Sequence, residues 1–269
     1  MKYTVFKKTV WSYYKKHGRN LPWRDTRDPY KILVSEIMLQ QTQVERVIPK
    51  YNSFIKKFPT VKKLADASLK DVLKEWQGLG YNRRGLYLKK AAEETVKNFN
   101  GKLPKDYQPL LSLPGIGPAT AGDILAFAYN IPIPVIETNI RTVFLHHFFN
   151  DASCKQIHDK EILPIVEKTL DKKNPRDWYW ALLDYGSYLK RTIGNQNSKS
   201  RHYLKQSPFR GSNRELRAKI LKHILNTPGT TTIALGKNLQ KPAIQIRTNI
   251  ISMKKEGLLK EKDKKLFVA

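Results

Sequence analysis

Apolar residues recur at three- and four-residue spacing through most of the chain, the mark of helices that each bury one face. The spacing predicts a helix over 5–16 and helical structure across 30–58, where Ile32, Leu33, Ile37, Met38, Val44 and Val47 supply the apolar side. Shorter helical stretches follow over 61–65, 69–77, 86–99, 108–111 and 119–129. Turns at Pro59, Gly78, Gly80, Gly101 and Pro104 separate them. Few stretches alternate in the two-residue rhythm of a half-buried strand. Residues 1–206 therefore read as one all-α domain.

After Gly194 the composition turns polar, and 207–213 reads as a linker. Residues 214–269 have a different rhythm. Helices are predicted over 214–225, 230–239 and 243–255, the last opened by Pro242, and a small hairpin over 258–262 and 264–268 turns at Asp263. Three helices and a hairpin form the pattern of a winged helix-turn-helix. Its third helix carries Gln245, Arg247, Thr248, Asn249 and Lys254, residue types that contact bases and phosphates.

Charge narrows the class of partner. Fifty Lys and Arg oppose 23 Asp and Glu, a net charge of +27. The segment 209–269 alone holds fourteen basic and four acidic residues. Such a balance attracts a polyanion, and nucleic acid is favoured over a membrane because no run approaches the length of a spanning helix. The N-terminus lacks the apolar core of a signal peptide, so a cytoplasmic, nucleoid-associated monomer is expected. Cys154 is the sole cysteine, which excludes an internal disulfide, a multi-thiolate metal site and a four-cysteine iron–sulfur cluster.

The first specific motif is Leu113-Pro114-Gly115-Ile116-Gly117-Pro118-Ala119-Thr120 between two helical stretches. Two glycines flanking an apolar residue let the backbone turn tightly, and the amides opening the next helix can face a phosphate oxygen. A bare Gly-x-Gly is usually only a turn. In a strongly basic chain with a helix on each side, it resembles the helix-hairpin-helix of DNA repair glycosylases.

Further motifs then fall into order. Leu21-Pro22-Trp23-Arg24, the run from Ser35-Glu36 through Gln40-Gln41-Thr42-Gln43, Gly78-Leu79-Gly80-Tyr81 and Ala181-Leu182-Leu183-Asp184-Tyr185-Gly186 resemble the MutY family of adenine DNA glycosylases over some two-thirds of the chain. The resemblance implies a glycosylase domain of two helical subdomains and a role for each matching residue. Glu36 matches the general acid that protonates adenine N7, Glu137 the position of the second catalytic carboxylate, and Asn139 its supporting asparagine. Trp23, Arg24 and Asp184 match the base pocket, Gln41 and Thr42 the segment facing the opposing base, and Tyr81 the wedge. Gly115, Ile116, Gly117, Ala119 and Thr120 match the DNA-holding hairpin, with Arg247 and Lys254 added from the C-terminal helix. The chemistry agrees, since breaking an N-glycosidic bond needs a proton for the departing base and negative charge near the developing oxocarbenium ion.

Three departures bear on function. Glu137 stands where the family has Asp, one methylene longer. The family's iron–sulfur cysteines are absent, with Leu189-Lys190-Arg191-Thr192 where the first would lie, so no cofactor is expected beyond a structural monovalent cation at the hairpin. The C-terminus is not the family's larger lesion-sensing domain. Bifunctional relatives such as endonuclease III carry a catalytic Lys where this chain has Ala119, so no Schiff base is expected there. The expected function is monofunctional excision of adenine opposite guanine or 8-oxoguanine in double-stranded DNA. Two alternatives stay open: a thymine or uracil mismatch glycosylase, and a non-catalytic DNA-binding protein.

Overall fold

The structure, a computed structural model, describes residues 1–151 and 156–269; Cys154 lies outside the described residues. It is mostly helical. In chain order the elements are α1 (Tyr3–His17), α2 (Pro29–Leu39), α3 (Val44–Lys57), α4 (Val61–Asp66), α5 (Leu69–Glu75), α6 (Arg83–Asn98), α7 (Tyr107–Ser112), α8 (Pro118–Tyr129), α9 (Thr138–Phe148), α10 (Asp159–Thr169) and α11 (Pro175–Thr192). Then come α12 (Asn213–Asn226), β1 (Thr230–Thr231), α13 (Thr232–Leu239), α14 (Ala243–Lys255), β2 (Leu259–Lys262) and β3 (Lys265–Val268). The apolar run over 30–58 is two helices rather than one. The chain leaves helical geometry at Gln41, whose φ is +54°.

The chain forms two compact units. The first comprises residues 1–36, 104–112 and 116–205; the second comprises 37–103, 113–115 and 206–269. In the first, α11 is the central helix, burying Trp178, Tyr179, Ala181, Leu182 and Leu189 among its residues. It packs against α1, α8 and α9. Gly186 permits the close approach of α9, because a Cβ there would overlap the Asn139 carbonyl. Helix α8 starts at Pro118, whose fixed φ suits the first turn, and stops at Asn130 in the left-handed region. Beyond it, Pro132 and Pro134 keep residues 131–136 out of helix, since each disfavours helix in the residue before it.

In the second unit, α4 and α5 pack on α6, each opened by a hydroxyl cap from Thr60 or Ser68. The indole of Trp76 lies against Gly85, where a Cβ would press on the ring. Residues 213–269 give three helices and a three-stranded antiparallel sheet in the order β1-β3-β2. The β2–β3 hairpin turns at Asp263 and Lys264, both at positive φ, the geometry that suits a two-residue connection. The apolar cluster of this segment, built from Leu216, Ile220, Ile246, Met253 and Leu266, also contains Leu69, Leu73 and Leu86 from α5 and α6. Among the described residues no helix is long and apolar enough to cross a membrane.

Candidate active site and nucleic-acid contacts

Glu36 and Glu137 come together in the first unit. Helix α2 begins where Asp28 accepts the Tyr30 amide, and its next two turns bury Ile32, Leu33, Val34 and Ser35 before presenting Glu36. The residue is half-buried, but its carboxyl is enclosed by protein. Burial first, and the Glu137 charge second, push its pKa up to about 8; Arg24 and a Ser35 hydrogen bond oppose the rise. Glu36 is therefore mostly protonated at neutral pH, as a general acid must be.

Glu137 is delivered by the extended segment after α8. The Tyr179 hydroxyl fixes that segment, donating to the Ile133 carbonyl at 2.6 Å and accepting from the Val135 amide at 3.0 Å. Glu137 then caps α9. Its Oε1 accepts the Asn139 amide at 2.5 Å and the Ile140 amide at 2.8 Å, while Oε2 has a long contact of 3.4 Å from Asn139 Nδ2. Burial raises its pKa, whereas these amides and Arg141 favour the charged form. The extra methylene of Glu thus still reaches the cap.

Arg24 and Asp184, matched to the base pocket, form a buried two-pronged pair: Nη1 donates to Oδ2 at 2.8 Å and Nη2 to Oδ1 at 2.7 Å. Arg19 adds its amide and Nε to the same carboxylate. Burial works to raise the Asp184 pKa, but the bonds and charge of Arg24 and Arg19 outweigh it and hold the carboxyl below its ordinary range. Arg24 also lies 5.2 Å from the Trp180 ring centroid. Trp23 is buried.

The residues matched to DNA reading lie in two places. In the second unit Gln41 is exposed and accepts a hydrogen bond from Gln206. Tyr81 has a φ of +45°, and its hydroxyl accepts from Arg214 Nη1 at 2.6 Å. Both loops are tied by a residue that the sequence patterns did not single out. Arg84 Nη1 donates to the carbonyls of Ile37, Met38 and Gln40, and Nη2 to Thr42 Oγ1 and the carbonyls of Leu79 and Gly80. One guanidinium thus satisfies the last carbonyls of α2 and joins the 40–42 turn to the 79–81 turn. Burial lowers its pKa to about 10, which leaves it charged.

In the hairpin, Gly115 has a φ of +80° and lies so close to Tyr87 that a Cβ would clash. Ile116 and Thr120 are buried, Gly117 is exposed as the N-cap of α8, and Ala119 sits in the first turn. On α14, Gln245, Arg247 and Thr248 are exposed. Asn249 turns inward, with its Nδ2 donating to the Gln245 carbonyl, and so leaves the contact set that residue type alone suggested. Lys254 is paired with Glu261 at 2.5 Å.

Comparison with known proteins agrees with this architecture. Residues 34–168 match the model of the HhH-GPD superfamily base excision DNA repair protein. The chain is 38% identical over 190 residues to an adenine DNA glycosylase of Buchnera aphidicola subsp. Baizongia pistaciae, covering 69% of this chain and 53% of that protein. It thus spans about half that relative's length. A thymine/uracil-DNA glycosylase of Pyrobaculum aerophilum is 32% identical over 188 residues, covering 68% of this chain and 82% of the relative. The solved structure of a thermostable thymine-DNA glycosylase shares the fold with a TM-score of 0.61 at 24% identity, covering 69% of this chain and 86% of that one. With half its length matched by the family model, the chain belongs to the HhH-GPD superfamily of base excision DNA repair proteins.

Proposed function

We propose that the protein is a monofunctional DNA glycosylase that releases adenine mispaired with guanine or 8-oxoguanine in double-stranded DNA. The observation that carries this reading is the pair Glu36 and Glu137, one protonated at neutral pH and the other bonded by its carboxylate to the opening amides of α9. Glu36 gives its proton to the leaving base, and Glu137 places negative charge beside the sugar as the bond to the base breaks. Tyr81 enters the duplex and Gln41 and Thr42 face the opposing base, held by Arg84. Gly115 and Gly117 let the hairpin backbone approach a phosphate, and Arg247 on α14 of a winged helix adds a further contact. Ala119 supplies no amine, so the abasic product is left uncut. The protein acts as a cytoplasmic monomer without an iron–sulfur cluster.

A thymine or uracil mismatch glycosylase is the second reading, favoured by the Pyrobaculum aerophilum relative, of whose length this chain covers 82%. Single-turnover assays on duplexes holding A opposite 8-oxoguanine, A opposite G, T opposite G and U opposite G separate the two. Strand breakage on the adenine duplexes, and only after alkali, is expected. Cleavage confined to the T or U duplexes would establish the second reading. Breakage without alkali would remove the monofunctional assignment.

A further inference from the structure

The two reacting carboxyls leave out a third. Asp123 lies on α8 beside Gly122, whose Cα is pressed against Val135 in the segment that delivers Glu137. Asp123 is only 6% exposed, and its Oδ1 has no hydrogen-bond partner. A buried carboxyl oxygen without a donor is unfavourable unless a ligand completes it. The charges acting on Asp123 are those of Glu36 from α2 and Glu137 ahead of α9, and Asp123 acts in turn on Tyr179 of α11. The nearby cations face the other two acids: Arg24 acts on Glu36 and Arg141 on Glu137. Burial and the two like neighbours raise the Asp123 pKa well above the ordinary carboxyl value, which favours its protonated form.

Glu137 complements it. Its Oε1 is taken by two amides, the Thr138 amide also acts on the carboxylate, and Oε2 has a long contact from Asn139. We propose that Asp123 is a third catalytic residue, a buried carboxyl that works with Glu137 to hold and orient the water that attacks the sugar. A neutral and an ionised carboxyl can share one water, the first donating to it and the second accepting from it. In the step, the bond between the base and the sugar's anomeric carbon breaks, and its electron pair leaves with the base, which takes the Glu36 proton. The water oxygen bonds to that carbon, and its proton passes to Glu137. The products are free base and an abasic sugar, with one water consumed.

This role rests on the glycosylase reading, and the test separates the two. The full chain is assayed for single-turnover release of adenine from a duplex with A opposite G, in water and in water–methanol mixtures. D123A should slow release by about 100-fold and raise the share of sugar captured by methanol, because the water is no longer held. D123N keeps a donor and an acceptor without charge, and should recover about 10-fold over D123A. The thermal midpoint of D123A should equal or exceed that of the wild type, since an unsatisfied buried group is removed. Wild-type rates in D123A, or slow release with a lowered midpoint and an unchanged methanol share, would overturn the role. D123N as slow as D123A would overturn the protonated form of Asp123. No release by the wild type on any mismatched duplex would instead remove the glycosylase reading itself.

Discussion

Glu36 and Asp184 are both acids in a largely buried setting, and their neighbours drive them in opposite directions. Glu36 is raised by burial and by Glu137, so the folded state holds a proton that the unfolded chain releases near 4.5. Its contribution to stability is therefore full below about 4.5 and is lost as pH rises toward about 8. Glu36→Gln should abolish that decline, read by chemical denaturation at pH 6 and pH 8, while leaving duplex affinity nearly intact. Asp184 is depressed by Arg24 and Arg19, so its contribution is present at neutral pH and lost in acid as pH falls through the folded-state value. Asp184→Asn leaves Arg24 buried with half a partner and should destabilise by about 3–5 kcal/mol, measured as a fall in denaturation midpoint. An unchanged midpoint would show the pair to be dispensable for folding.

At the scale of elements, a few residues decide where reactive side chains sit. Gly186 lets α9 approach α11, and its carbonyl neighbour Asn139 belongs to the turn that Glu137 caps. Gly186→Ala should push that turn aside and slow base release more than it weakens duplex binding, with overpacking of about 1–3 kcal/mol in stability. Arg84→Lys keeps the charge but not the fork that reaches six acceptors across two turns. It should loosen Gln41 and Tyr81 together and reduce discrimination between mismatched and matched duplexes in competition binding. Equal discrimination by wild type and variant would mean the turns hold their shape without the guanidinium. These devices show what was legible in the sequence. Amphipathic spacing was enough for many of the helices, including the boundaries of α14, but α9, α10 and α11 were not singled out, and Thr230 and Thr231, read as helix, form β1. Nor was the break at Gln41 legible, since Gln-Gln-Thr-Gln contains no residue that demands positive φ. The interior role of Arg84 was hidden among 50 basic residues. Glu36 and Glu137 could be joined only by resemblance, because no spacing brings α2 and α9 together. Asp123 carried no signal beyond an acid on an apolar helix.

At the scale of the molecule, a net charge of +27 should give the proposed association with DNA a strong salt dependence. Exposed Arg247 on α14 is the direct probe of whether residues 213–269 share in it. Arg247→Ala should reduce the slope of log affinity against log salt by about 1, and an unchanged slope would remove α14 from the DNA contact. Deleting the whole segment is a poorer test, because its apolar cluster includes Leu69, Leu73 and Leu86. The deletion should lower the thermal midpoint through exposed core, whatever it does to affinity. The most direct measurement is the single-turnover rate of adenine release across pH, on one A-containing mismatched duplex, for wild type and Glu36→Gln. Release that is level at neutral pH, falls about tenfold per pH unit above about 8 and is lost by 100-fold or more, on the order expected for a general acid, in the variant is the expected result. A variant that keeps the wild-type rate and the same alkaline limb would contradict Glu36 as the acid that drives base release.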